Sequence, residues 1–431
     1  VEPAILAAAN GLRLDAEEQA MLAGELGPAL ATAMEVLVVL GVAAGARRMV
    51  AVSSAHIDSC LFHGLAGLDF AERLVAGGGT VRVPTTLNVS SLDLRHPGLV
   101  RLEGETREQA RRLMDAYVAL GGRPTWTCAP YQLPGRPAAG EHVAWAESNA
   151  IVFANSVLGA RTERYGDFSD ICAALAGRVP LAGLHTDEAR RGGIVFELPE
   201  LAPEAYRQAE LHALVGHIVG VRAGSKVPVV SGLPESTTED QLKALGAAAA
   251  SSGAVALCHV LGVTPEAATL AQATGGEPVT RVRLSRTDLR EGWSQLSTAP
   301  VGAALDAISL GTPHMSLAEL EALGPRLASF DVADGLTLYV STGRDMAAEL
   351  ERRGLIDPFH RPGVQLVVDT CTYITPIIDP RARVVMTNSA KWAWYAPANM
   401  GVDVCFGTLD DCLASAASGK VIHERPRWLD G

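Results

Sequence analysis

What most constrains the fold of this chain is a recurrent pattern: short apolar runs of strand length break into loops rich in hydroxyl, thiol or charged side chains, and then into helical sequence. Val364 to Val368 runs into Asp369-Thr370-Cys371, Val384 to Met386 into Thr387-Asn388-Ser389-Ala390-Lys391, and Val402 to Phe406 into Gly407-Thr408 and a last helix. Met49 to Val52 leads in the same way into Ser53-Ser54-Ala55-His56, and Thr80 to Val83 into Pro84-Thr85-Thr86-Leu87-Asn88. Strands alternating with helices predict an α/β architecture. In open α/β sheets ligands bind beyond the carboxyl ends of the strands, so the residues just after each run are where a site is expected.

Helix signals fill the spaces between. Asp15 with Glu18 forms a capping-box start for LDAEEQAMLAGELG, and Ser316 with Glu319 does the same for LAELEALG. Thr238 caps QLKALG, Ala254 to Leu257 reads as a strand delivering Cys258-His259, and Thr264-Pro265-Glu266 starts another helix. Leu336 to Val340 forms a further strand that turns through Ser341-Thr342-Gly343 into DMAAELERRG. The paired LKALG and LEALG segments hint at an internal duplication. Three regions are expected: 1–225 with the SSAHID, TTLN and TCAPY loops, 226–312 carrying Cys258, and 313–431 carrying Cys371 and the NSAK loop.

A chain of 431 residues exceeds what one hydrophobic core usually serves, which agrees with several α/β subdomains. Its net charge of −12 comes with no basic block, so nucleic acid is not the expected partner and a small molecule is. The longest apolar run, Leu30 to Ala46, contains Glu35 and ends at Arg47-Arg48; it reads as a buried helix and not as a membrane span. No secretory signal is visible, and seven cysteines, an odd number, argue for reduced thiols and the cytoplasm.

Cys172 and Cys412 lie in helical patterns and Cys405 in a strand, as small core residues do, and Cys60 is read the same way. Cys128, Cys258 and Cys371 stand at loop or strand-end positions, with no CxxC pair among them. Three converging thiolates would hold iron or an iron–sulfur cluster with a coordination position left open, and zinc is the inorganic alternative. An open metal site acts as a Lewis acid on a hydroxyl oxygen.

Taken together, LDAEEQAMLAGELG, SSAHID, VPTTLN, PTWTCAPY, HVAWAESNAIVFANSVLGART, HVLGVTPEA, VVDTC and TNSAKWAWYAP resemble the large catalytic portion of aconitase X. The resemblance spans nearly the whole chain. It implies an aconitase-like set of α/β subdomains around a central metal-binding cleft, with Cys128, Cys258 and Cys371 as iron ligands. It implies a [2Fe-2S] cluster, with [4Fe-4S] or mononuclear iron as alternatives. It further implies a hydro-lyase that dehydrates cis-3-hydroxy-L-proline, or else mevalonate 5-phosphate; a non-catalytic iron-responsive regulator is the reading of another class. The superfamily completes its site with a small swivel domain carrying a serine base. Gly224-Ser225 lacks that domain's surroundings, so the swivel domain is expected on a small partner subunit or on another segment of the polypeptide, in keeping with the start at Val1.

Site roles follow from position and resemblance. His56 is expected near the metal, donating a proton to the departing hydroxyl, with Lys391 as a second catalytic group and carboxylate clamp. Ser54, Thr86, Asn88 and Ser389 would offer hydrogen bonds to substrate. Glu147, Ser148 and Asn149 open a helix and would serve as cap and substrate contact together, and Arg161 would clamp the substrate carboxylate. Trp392, Trp394 and Tyr395 are expected to pack beneath the NSAK loop.

Overall fold

The computed structural model describes residues 2–424 and 426–429. The first region holds five short strands, β1 (Met49–Ala51), β2 (Ala55–Ile57), β3 (Thr85–Leu87), β4 (Ala144–Trp145) and β5 (Arg178–Pro180). β3, β2 and β4 form a parallel sheet in that order, and β1 pairs with β5 antiparallel. All three β2 residues are buried, as expected of a central parallel strand covered on both faces. The capping box at Asp15 is present, and the helix Pro28–Ala43 begins on a proline whose missing N–H costs nothing there.

The strand expected at 80–83 is not one. Val81 and Arg82 donate their N–H groups to the carbonyls of Leu120 and Ala174, near the ends of two helices, and the sheet strand is Thr85–Leu87, which begins two residues after Val83.

The second region carries β6 (Gly192–Glu197), β7 (Val227–Ser231), β8 (His259–Val260) and β9 (Thr280–Arg283), parallel throughout in the order β8-β7-β6-β9. The helices Ala209–Ala223 and Glu239–Gly253 pack backbone to backbone against each other. A Cβ on Gly216 would lie 2.1 Å from the Leu245 carbonyl oxygen, so only glycine permits that approach. Ala254 to Leu257 is not a strand: the helix before it runs to Gly253, and the Asn155 amide bonds the Ala256 carbonyl. The helix expected from Thr264 starts at Leu270, capped by Thr269.

The third region is a five-stranded parallel sheet in the order β12-β11-β10-β13-β14, built from β10 (Ala307–Met315), β11 (Thr337–Thr342), β12 (Val364–Val367), β13 (Val384–Thr387) and β14 (Asp403–Phe406). β10 is buried along its whole length, and its register breaks after Leu310. There Gly311 adopts φ +87°, with space for a Cβ closed off by the Ser341 carbonyl at 2.2 Å. The boundary expected after residue 225 falls inside the second sheet's span, between β6 and β7, and the one after 312 falls within β10. No helix among the described residues is long and apolar enough to cross a membrane.

Candidate active site

The carboxyl ends of the first and third sheets face a common cavity of about 420 Å³. β2 delivers Asp58 and Ser59, β3 delivers Asn88 and Val89, and β4 delivers Glu147 and Ser148. From the third sheet come Thr312 of β10, Cys371 and Tyr373 after β12, and Lys391, Tyr395 and Asn399 on the helix that follows β13. Cys128 enters from an extended loop and Asp167 stands at the rim. Two sheets thus supply one site, as the strand-end rule predicts.

A buried ion pair closes the cavity wall. Lys391 Nζ donates to Glu147 Oε1 at 2.6 Å and to Ser148 Oγ at 3.1 Å, with Lys391 only 3% exposed. Glu147 caps the helix Ser148–Ser156 from a left-handed φ of 73°, its Oε2 accepting from the N–H groups of Asn149 and Ala150 at 3.0 Å each. A non-glycine residue held there costs on the order of 1–3 kcal/mol, which the cap and ion pair together offset. Burial alone would push the Lys391 ammonium down, but Glu147, backed by Tyr373 and Cys128, holds it well above its ordinary value.

The loop after β12 is clamped in a similar manner. Asp369, at φ 66°, accepts two hydrogen bonds at 2.7 Å from the Arg344 guanidinium, while its backbone oxygen takes the N–H of Ser90 at 2.7 Å. The Cys371 loop is thereby tied to the Asn88–Val89 loop. Cys128, Cys371 and Val89 pack in one small cluster.

Cys258 does not join them. It precedes β8 where a strand end was expected, and its N–H bonds Ser156 Oγ at 2.8 Å, at the last residue of the helix whose first residue, Ser148, lines the cavity. Eight residues of helix correspond to about 12 Å. Burial pushes the thiols of Cys128 and Cys258 up to about 12 and that of Cys371 upward; Glu147 adds to the rise at Cys128 and Cys371, and the Lys391 ammonium works against it at both. A metal must displace those protons. Cys128 and Cys371 line the cavity and Cys258 is not among its lining residues; among the described residues no three His, Cys, Asp or Glu side chains gather tightly enough to hold an ion alone.

His56 is also corrected. It is the middle residue of β2, fully buried, with Nδ1 2.8 Å from Thr86 Oγ1, and it lies behind the cavity lining. Burial drives its pKa down to about 3, so it stays neutral and presents no proton to a substrate. Thr86 serves His56, Ser54 accepts from Trp145 Nε1 at 3.1 Å, and Asn149 bridges the Cys128 carbonyl and Tyr131, all behind the wall. Ser389 caps the helix Ala390–Met400 and reaches the Thr312 carbonyl. Arg161 holds the His185 carbonyl and Asp187, away from the cavity. Asn88, Glu147, Ser148 and Lys391 line the cavity. Trp392 packs as expected, whereas Trp394 is 40% exposed and Tyr395 enters the cavity, stacked on Tyr373 with centroids 5.6 Å apart.

Asp58 was missed, although it is the first residue past β2 and the last of SSAHID. Asn88 Nδ2 donates to its Oδ1, and burial together with the negative charges of Glu147, Asp170 and Asp167 raises its carboxyl to about 8.

The neutral histidines carry a pH prediction. His56 and His185 are both held down at about 3 by burial, against an unfolded value of about 6.5. Protonation therefore favours the unfolded chain. Their stabilisation is full above pH 6.5 and is lost on acidification, each costing about 1.4 kcal/mol per pH unit down to pH 3. Urea midpoints measured from pH 7 to pH 4.5 should fall, and His56→Gln should fall less steeply; an equal slope for the variant would refute the assignment.

Family models described as the first, second and third domains of aconitase X match residues 11–188, 197–294 and 305–418. The chain is 41% identical to the cis-3-hydroxy-L-proline dehydratase of Pseudomonas aeruginosa, over 98% of this chain and 73% of the relative. It is 38% identical to the phosphomevalonate dehydratase large subunit of Methanothermobacter thermautotrophicus, over 91% of this chain and 96% of that subunit. The crystal structure of Thermococcus kodakaraensis aconitase X in its holo-form superposes with a TM-score of 0.84 at 31% identity, covering 94% of this chain and all of that one.

Proposed function

This chain belongs to the aconitase X family of hydro-lyases, and from that premise we propose that it removes water from cis-3-hydroxy-L-proline to give Δ1-pyrroline-2-carboxylate. The observation that carries the choice of substrate is the charge of the cavity. Its wall holds the acidic side chains of Asp58, Glu147 and Asp167 against Lys391, which is already paired with Glu147; His63 is the other basic side chain, and no arginine is among the lining residues. A phosphate monoester brings about two negative charges at neutral pH. Mevalonate 5-phosphate would find no arginine and a lysine already paired with Glu147; an imino acid brings one carboxylate for Lys391 and one ammonium for the acidic side chains.

An aconitase-like family points to a metal or iron–sulfur group. In our reading Cys128 and Cys371 would hold an iron centre, with [2Fe-2S] favoured, which when bound would supply a Lewis acid for the departing hydroxyl. The chain's own residues do the rest of the binding. Lys391 has three N–H donors, two of them committed to Glu147 and Ser148, which leaves the third for the substrate carboxylate. Fixing that carboxylate holds the Cα proton toward the cavity mouth, where a serine base on a small domain, either a partner subunit or further polypeptide, takes it. Loss of the C3 hydroxyl then leaves an enamine that tautomerises without any redox change. Tyr373 and Tyr395 form an apolar floor suited to the ring methylenes.

The test is direct. The full chain, assembled with its small partner and loaded anaerobically with iron, should dehydrate cis-3-hydroxy-L-proline with kcat/KM at least about 100-fold above that for mevalonate 5-phosphate, since misplaced like charges cost several kcal/mol. Preference for the phosphate ester would overturn the reading.

A further inference from the structure

Two carboxylates stand on the inner wall of the cavity, and only one has a cation. Glu147 is matched by Lys391, whereas no described Lys, Arg or His lies within salt-bridge distance of Asp58. Its one recorded side-chain partner is the Asn88 amide, bonded to Oδ1, and Oδ2 is left without a partner. Resting on the imino-acid reading, we propose that Asp58 receives the ring ammonium of the substrate and so selects a cationic hydroxy acid over one with an uncharged ring.

The surroundings are built for that task. Asp170 Oδ2 accepts the backbone N–H of Asp58 at 2.8 Å and of Ser59 at 3.1 Å; Ser59 Oγ donates to the same carboxylate, and Tyr117 donates to Ser59 Oγ at 2.8 Å. The Asp58 backbone is thus held in place by a buried network. On its other side Asn88 is held between Asp58 and the strand pair β2–β3, with neutral His56 behind it. The charged groups around the Asp58 carboxyl are Glu147, Asp167 and Asp170, all negative, with Lys391 on the same cavity wall as Glu147. These raise the cost of a lone anion and reward an incoming cation, which compensates the buried charge. Lys391 on the carboxylate and Asp58 on the ammonium would bracket Cα between them and direct C3 toward Cys128 and Cys371.

The assembled, iron-loaded protein should be titrated calorimetrically with L-proline and with (S)-tetrahydrofuran-2-carboxylate, which keeps the ring and carboxylate but has no ammonium. The wild type should prefer L-proline about 100-fold, the usual scale for a buried charge pair. At pH 7 it should release up to one proton on binding L-proline and none with the oxygen analogue, because Asp58 ionises as the cation arrives. Asp58→Asn should shrink the preference to within about threefold, as an amide cannot supply the charge. Equal wild-type affinity for the two probes, or full preference retained in Asp58→Asn, would overturn the proposal. Should that variant fail to fold, the wild-type proton count decides, and no release counts against it. Failure of the wild type to dehydrate cis-3-hydroxy-L-proline would strike the imino-acid reading separately.

Discussion

Lys391→Met should destabilise the chain by about 3–5 kcal/mol and abolish dehydration, the largest single effect expected from this site. The Lys391 ammonium and the Glu147 carboxylate are both buried, 2.6 Å apart, and neither has an alternative partner of opposite charge in a salt bridge. Removing the lysine leaves Glu147 as an unpaired, buried anion in the cavity wall. It also lies in the first turn of the helix Ala390–Met400, where a cation opposes the helix dipole, so only Glu147 makes that position tolerable. The double change Glu147→Gln with Lys391→Met should recover most of the lost stability, because both charges leave together, while activity stays absent. Urea midpoints of the metal-free chain measure the first effect and turnover the second. A single variant as stable as wild type would mean that the pair is open to water; a double variant that turns over substrate would remove Lys391 from the mechanism.

How much of this was readable in sequence depended on how each strand satisfies its backbone. β12 and β13 are apolar runs paired in a regular ladder, so Cys371 and Lys391 could be placed just past their ends. Thr80 to Val83 also reads as a strand but bonds helix ends, and Ala254 to Leu257 is held by the side chains of Asn155 and Arg164 rather than by a neighbouring strand. Nothing in hydrophobic alternation distinguishes these cases. The errors propagated into the site. Taking the strand to end at Val52 put His56 in a loop, whereas β2 continues the chain into a buried sheet, hiding His56 and making Asp58 the strand-end residue. Glu147 stood out only as part of the helix start it shares with Ser148 and Asn149; glutamate is not a favoured cap, and its capping of Asn149 and Ala150 emerges from the structure. Arg161 failed for a different reason: a guanidinium satisfied by a backbone carbonyl and an exposed aspartate looks in sequence like one awaiting a ligand.

The cysteines give the second large expectation. Cys128→Ser and Cys371→Ser should each lower bound iron at least about tenfold and remove activity, while Cys258→Ala should leave iron per chain within about twofold of wild type. Alanine is the right probe at Cys258, because that side chain is 1% exposed and a serine there would bury a hydroxyl at a cost of about 1–3 kcal/mol, confusing loss of metal with loss of fold. The asymmetry is one of place: Cys128 and Cys371 line the cavity and Cys258 does not. Burial opposes thiolate formation at all three positions, Glu147 opposes it further at Cys128, and the Lys391 ammonium favours the anion at Cys128 and Cys371. Lys391→Met should therefore weaken iron retention too, by impairing the two thiolates that Lys391 assists, even though it touches no metal. Iron content measured beside the melting curve separates this from unfolding: loss in a chain that still melts cooperatively belongs to the thiolates. Iron lost from Cys258→Ala as fully as from Cys128→Ser would restore the three-cysteine arrangement.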